Sequence, residues 1–196
     1  MSLPMVEIEF EERVAALNPV SKVHRGGRTR RWSALVVVGD KQGRVGVGLG
    51  KSADVPDAIR KGAERARKHM IAVPLYKTTI PHEVRCRYSA AEVLLRPAAE
   101  GTGVIAGGAV RHVVEAAGIK DILSKSLGSA NQVNVAKATL MCLASLQTPQ
   151  AVAARRGKKA EDLGVPLDGY RRAEAAPAAE SQAPAQRPAG ETGRRQ

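Results

Sequence analysis

Apolar and polar positions follow two periods along this chain, and each change of period marks a predicted element. Over residues 7–17, Phe10, Val14 and Leu17 recur at helical spacing and Pro19 follows, which predicts a short helix. Over residues 33–38 the run Leu35-Val36-Val37-Val38 predicts a strand. Asp40-Lys41-Gln42-Gly43 reads as a hairpin turn, with Gly43 suited to a positive φ, and residues 44–50 return as the next strand. Gly46, Gly48 and Gly50 alternate there, so one face is nearly bare and open to a helix or a ligand. Residues 55–72 form the clearest helix: Asp54 is a plausible N-cap, Pro56 suits the first turn, and Val55, Ile59, Ala63, Ala66 and Met70 make one stripe.

A second unit opens at Pro74. Residues 78–88 read as extended and 92–97 as their hairpin partner. A glycine loop leads into an amphipathic helix over 106–117, which Gly118 caps. Residues 121–127 predict a strand, and 131–146 a largely buried helix that Pro149 ends. From Ala173 onward there is no Leu, Ile, Val or aromatic residue, so that tail is expected to be disordered. The predicted class is α+β, with two small α/β-type domains at 7–72 and 74–156 and an extension and disordered tail at 157–196.

Charge changes the picture. The chain of 196 residues carries 31 Lys and Arg against 19 Asp and Glu, a net charge of +12, which points to a polyanionic partner. Residues 20–68 hold 13 basic and 4 acidic residues, whereas 74–150 hold 8 and 5, so the first unit is the better nucleic-acid surface. Around Gly26-Gly27 the cations Lys22, Arg25, Arg28, Arg30 and Arg31 form a cationic loop or hairpin tip. On the helix, Arg60, Lys61, Arg65, Arg67 and Lys68 surround a single acid, Glu64, so lacing by salt bridges does not account for the run and phosphate binding is expected. The five aromatics are too few for base stacking to be the main mode; backbone and shape recognition of folded RNA fits better.

Other chemistries find little support. Cys86 and Cys142 lack disulfide or zinc spacing, and His24, His69, His82 and His112 are scattered, so no metal or cofactor is expected. No apolar run approaches the roughly 20 residues of a membrane span. The acidic start, with Glu7, Glu9, Glu11 and Glu12, is unlike a secretory or transit leader, so a cytoplasmic, bacterial protein without a membrane partner is expected. Gly46 to Ser52 misses the Walker spacing because position 45 is Val. Gly101-Thr102-Gly103-Val104-Ile105-Ala106 matches a dinucleotide fingerprint, with Asp121 twenty positions on, but it lacks repeated βαβ units and a catalytic constellation. No enzyme activity is expected.

The order of the first unit, helix, strand hairpin and basic helix, resembles a double-stranded-RNA-binding fold. The residues also resemble a particular family. Val20-Ser21-Lys22, Gly26-Gly27-Arg28, the run from Ser33 to Asp40, Gly43-Arg44-Val45-Gly46, Gly50-Lys51 and Val55-Pro56 are similar to the bacterial-type fifth protein of the small ribosomal subunit. So are the runs from Glu100 to Gly108, Gly128 to Asn131 and Val152 to Lys158, and the resemblance covers about residues 7–164 in order. The chain departs from the family at Pro19, at Val47 and Leu49 where aromatics are usual, at Arg30 and Trp32, and over 87–91.

The resemblance implies a variant double-stranded-RNA-binding domain followed by a domain with a βαβ crossover. It implies a structural role, with 16S rRNA bound near the decoding centre and central pseudoknot. Partners would be the fourth and eighth small-subunit proteins and messenger RNA at its entrance channel, with an influence on assembly and decoding accuracy. Its loop matching Ser21 to Arg28 would lie near the spectinomycin site. Lys22, His24, Arg25, Gly26, Gly27, Arg28, Arg30 and Arg31 are the expected rRNA contacts of the loop. Lys51 and the helix residues Arg60, Lys61, Arg65, Arg67 and Lys68 complete the set, while Glu100, Gly101, Thr102, Gly103 and Arg111 would face the fourth protein. Two readings compete: a free-standing RNA-binding regulator, and a nucleotide-dependent enzyme using the Gly101 loop.

Overall fold

A computed structural model describes residues 10–159 and 169–172. The molecule is α+β, with two small α/β modules. The first contains β1 (Glu11–His24), β2 (Gly27–Gly39), β3 (Arg44–Ser52), α1 (Val55–Lys68) and β4 (Ile71–Ala72). After β5 (Pro74–Tyr76), the second contains β6 (Val84–Tyr88), β7 (Ala91–Pro97), β8 (Val104–Ile105), α2 (Gly108–Ala116), β9 (Ile122–Gly128), α3 (Gln132–Ser145) and α4 (Pro149–Arg156). A last strand, β10 (Tyr170–Arg172), pairs with β5.

The helix predicted over 7–17 is overturned from Glu11 onward, where the chain is strand; residues 7–9 lie outside the described residues. β1 pairs antiparallel with β2 from Glu11↔Gly39 to His24↔Gly27, with a bulge between Val14 and Ala16. A long-range ladder of backbone hydrogen bonds outweighs a weak helical spacing of three residues. Val14 and Leu17, which carried the helical spacing, stay 41% and 38% exposed.

The first sheet has the order β1-β2-β3-β4, and α1 lies on one face of it. The bare glycine face of β3 receives a helix: a Cβ at Gly46, Gly48 or Gly50 would overlap the backbone of Ala66, Gly62 or Ala58. This close approach selects the small residues Ala58, Gly62 and Ala66, with Ala63, as the buried stripe of α1. Val55 and Ile59, expected in that stripe, are only half-buried, because larger side chains are pushed to the flanks of so tight a contact. The helix stops at Lys68 rather than near 72, since Ile71 and Ala72 leave it to pair with Val45 and Arg44.

The run Leu35-Val36-Val37-Val38 is apolar throughout because both faces of β2 are covered. Ala34, Val36 and Val38 pack with α1, while Leu35, Val37 and Val45 join a core with Val93, Leu95, Val110, Val113 and Leu143 of the second module. The predicted turn follows Asp40, whose carboxylate accepts from the N–H of Gln42 at 2.8 Å and of Arg44 at 2.9 Å. Gly43 adopts the expected positive φ of 101°. The turn docks on the end of α2, where Lys41 and Gly43 N–H donate to the carbonyls of Ala116 and Ala117, both at 3.0 Å. Free carbonyls at a helix C-terminus are thus satisfied by the other module.

The second sheet has the order β6-β7-β9-β8, and β8-α2-β9 is the expected parallel crossover. Gly118 follows α2 with φ 86°, as its C-cap role requires. Of the extended segment expected over 78–88, only Val84–Tyr88 is strand. Pro149 does not simply end a helix. It starts α4, where Thr148 accepts from Ala151 N–H at 3.3 Å, because proline suits a first turn. The tail beyond Ala173, expected to be disordered, lies outside the described residues.

Candidate nucleic-acid interface

Beyond Leu17, strand β1 leaves the core and carries β2 with it. Residues 18–31 are all exposed, and the two strands continue as a free ribbon. The predicted cationic tip is real and extends into the strands. Arg25 and Gly26 make a two-residue turn, Gly26 has φ 98°, and the space around Gly26 and Gly27 is open. Strand alternation divides the ribbon. Val20, Lys22, His24, Thr29 and Arg31 share one face, where they line a shallow concavity. Ser21, Val23, Arg28 and Arg30 occupy the other. The ribbon contains no Asp or Glu, and none of its cations has an acidic partner among the described residues.

Cations on α1 are placed differently: acids account for two of the five, Arg60 and Arg67, although the local window held one acid. Arg60 pairs with Asp57 at 3.3 Å and Glu64 at 3.8 Å. Arg67 pairs with Glu12 of β1 at 2.7 Å. Arg65 donates to the Leu49 carbonyl at 2.6 Å, and Lys61 to the Ser52 hydroxyl at 3.4 Å. The window from 60 to 69 held one acid, but folding supplies partners from the preceding turn and from a strand fifty-five positions away. Lys51 and Lys68 are exposed and have no acidic partner among the described residues.

Glu100, Gly101 and Thr102 are exposed in a loop before β8, Gly103 is half-buried, and Arg111 donates back to the Val104 carbonyl at 3.0 Å. Gly101 and Gly103 adopt φ of 91° and 76°. Their N–H groups donate to one oxygen of Asp121, at 3.0 and 2.9 Å. The Thr78 hydroxyl, first, and the amides of Gly103, Gly101 and Thr102 hold the Asp121 carboxyl below its ordinary value, against the opposing effect of burial. Asp121 is 4% exposed, so the acid that a dinucleotide site would offer to ribose is spent on fastening its own loop.

The sequence reading missed two exposed valines, Val20 at 42% and Val23 at 72%, one on each ribbon face. Their alternation with polar residues was the available signal. Trp32 packs beside the α1 cluster and offers no stacking platform on the ribbon. Ile105 and Leu123, 53% and 38% exposed, are neighbours across β8 and β9 that no local pattern marked. Both cysteines are free, and burial, then Cys86, pushes the Cys142 thiol up. Among the described residues no group of three or more His, Cys, Asp or Glu could hold a metal, and no helix is long and apolar enough to cross a membrane.

The site and fold define a basic, two-module α+β protein that presents a cationic β-ribbon. The family profile described as "Ribosomal protein S5, N-terminal domain" matches residues 10–74, and "Ribosomal protein S5, C-terminal domain" matches residues 86–156. The small ribosomal subunit protein uS5 of Chloroflexus aurantiacus is 56% identical over 156 residues, covering 80% of this chain and 88% of that protein. The chain belongs to the ribosomal protein S5 family.

Proposed function

We propose that this protein is a structural constituent of the small ribosomal subunit that binds 16S rRNA through the ribbon and is not an enzyme. The observation that carries this reading is the ribbon itself, fourteen exposed positions with cations on both faces and no acid, in a chain of the S5 family. Unneutralised Lys and Arg attract phosphates and release counterions, whereas cations already tied to carboxylates gain less. Lys22, Arg25, Arg28, Arg30 and Arg31 are the principal contacts, with His24 beside them and Gly26 and Gly27 letting RNA approach the tip. Lys51, Lys61 and Lys68 add a second basic area, and Arg60, Arg65 and Arg67 contribute less because their partners compete. The Glu100–Gly103 loop with Arg111 is the face for the fourth small-subunit protein. The eighth protein and messenger RNA at its entrance channel are further neighbours, with effects on assembly and decoding accuracy in the cytoplasm.

Sedimentation of a tagged chain tests the role. Most of it is expected with small subunits, and the variant with Lys22, Arg28 and Arg30 changed to Ala is expected to shift to the free pool. A wild-type chain found mainly free would favour a separate RNA-binding regulator. Chemical footprinting of the assembled subunit should place the ribbon against rRNA.

A further inference from the structure

Strand β10 comes from beyond both matched domains, and its receiver β5 sits almost entirely in the gap between them. The register is Tyr170↔Tyr76, Arg171↔Leu75 and Arg172↔Pro74. Two further contacts close the clip: the Lys77 N–H donates to the Gly169 carbonyl at 2.8 Å, and the rings of Tyr76 and Tyr170 lie 4.8 Å apart at 48°. Gly169 has φ 100°, and a Cβ there would come within 2.9 Å of the Lys77 side chain, so the turn into the strand requires glycine.

The receiving segment leads directly to the glycine loop. Tyr76 and Thr79 exchange backbone hydrogen bonds at 2.9 Å, which closes a tight turn with Lys77 at φ 51°. Inside that turn the Thr78 carbonyl accepts from the N–H groups of Lys120 at 2.9 Å and Asp121 at 3.1 Å. The Thr79 hydroxyl accepts from Ala98 N–H at 3.2 Å. Asp121 in turn holds the amides of Gly101 and Gly103. A continuous chain of hydrogen bonds therefore runs from the C-terminal strand, through the 76–79 turn and Asp121, to the exposed loop.

We propose that β10 is a clip that positions the Gly101–Gly103 loop by bracing the 76–79 turn, with Tyr170 as its anchoring residue. This deepens the partner-face reading of that loop and rests on it for its biological use. The physical claim stands separately: a three-residue strand adds backbone pairing and a ring contact to a turn that Thr78 and Thr79 already tie to the second module. Tyr170 touches no partner in this scheme and acts only through Tyr76.

Amide hydrogen exchange on the full, free chain tests the brace. Tyr170→Ala should speed exchange at Lys77, Gly101 and Gly103 by about tenfold or more, while Val93 in the core is unchanged. Tyr170→Phe, which keeps the ring pair, should restore slow exchange, and a chain ended at residue 168 should match Tyr170→Ala. Faster exchange at Lys77 alone would overturn the brace and leave a local clip; no change at Lys77 would overturn both. Arg111→Ala, scored by incorporation into small subunits, tests the partner face independently. Normal incorporation of that variant beside the exchange changes would remove the partner reading and keep the brace.

Discussion

The ribbon at residues 18–31 and helix α1 are both strongly basic, yet only on the helix are several of the cations tied to partners. On α1, Arg60 and Arg67 face Asp57, Glu64 and Glu12, and Arg65 is held by a carbonyl. On the ribbon no carboxylate is present at all. The helix rests on a glycine-faced strand and belongs to the core, whereas the ribbon stands clear of it with both faces wet. A two-stranded ribbon is marginally stable alone, so its order is expected to increase when a partner covers it. Charge count therefore does not rank binding surfaces. What ranks them is how many cations folding leaves without an intramolecular partner.

The largest test concerns what the helix is built on. Gly48→Val drives a side chain into the Gly62 and Ala66 backbone, and no rotamer relieves it. We expect a loss of about 3 kcal/mol or more in urea unfolding, the upper end for overpacking. Gly27→Ala in the ribbon, where the added methyl meets nothing within 4 Å, should leave the midpoint nearly unchanged. Equal effects would erase the contrast.

Next in size is RNA affinity. Changing Lys22, Arg28 and Arg30 to Ala should lower the log–log salt slope of rRNA binding by about two to three, and affinity by roughly tenfold or more. The thermal midpoint should not move. The matching triple on α1, Arg60, Lys61 and Arg67 to Ala, should lower the slope by about one or less, because two of the three already have acidic partners. Similar slopes from both triples would show that the helix cations exchange partners freely.

A third test uses acid. Neighbouring Lys41, then Arg13, hold Glu11 below its ordinary 4.5, and Thr78 with the loop amides hold Asp121 below 3.8. A carboxyl whose folded pKa is lowered stabilises the fold fully above its unfolded value. That contribution erodes as pH falls through the window below it. Urea midpoints should therefore be flat near neutrality and fall below about pH 4. Asp121→Asn should remove part of that acid limb, and substitutions in the carboxylate-free ribbon should leave it intact.

The smallest effect is expected at the Arg67–Glu12 pair. Both groups are substantially exposed, so a double-mutant cycle should give a coupling under about 1 kcal/mol. Its value lies in direction: Glu12→Ala should free Arg67 and raise the salt slope slightly.

Much of the architecture was legible in the residues. The hairpin turn at Asp40–Gly43, the helix after Asp54, helix α2 and the buried α3 all follow from local chemistry: a turn glycine, a proline in a first turn, a run of small and apolar residues. The crossover through α2 was implied only by the family resemblance, because β8 is two residues long. The ribbon's cations were equally plain around Gly26-Gly27. The failures share one cause. Residues 11–17 became strand because β2 lay alongside, and the buried stripe of α1 moved to Ala58, Gly62 and Ala66 because Gly46, Gly48 and Gly50 opposed it. Each depended on how two different elements meet in space, Glu11 against Gly39 or Gly50 against Ala58, which the periodicity of one element does not contain.

Composition and local pattern by themselves settled the class of fold, the basic character of the first module and the glycine-faced strand; the family was read from the resemblance of its motifs, which two domain-length matches bear out. Those properties reside in residue type and short-range order, which survive without a partner. Only the tertiary structure decided which cations are free, that Asp121 fastens its own loop, that the two modules share a core, and that β10 reaches back to β5. Electrostatic pairing and burial depend on distances between chain segments that meet only when folded, so no reading of one segment at a time could supply them.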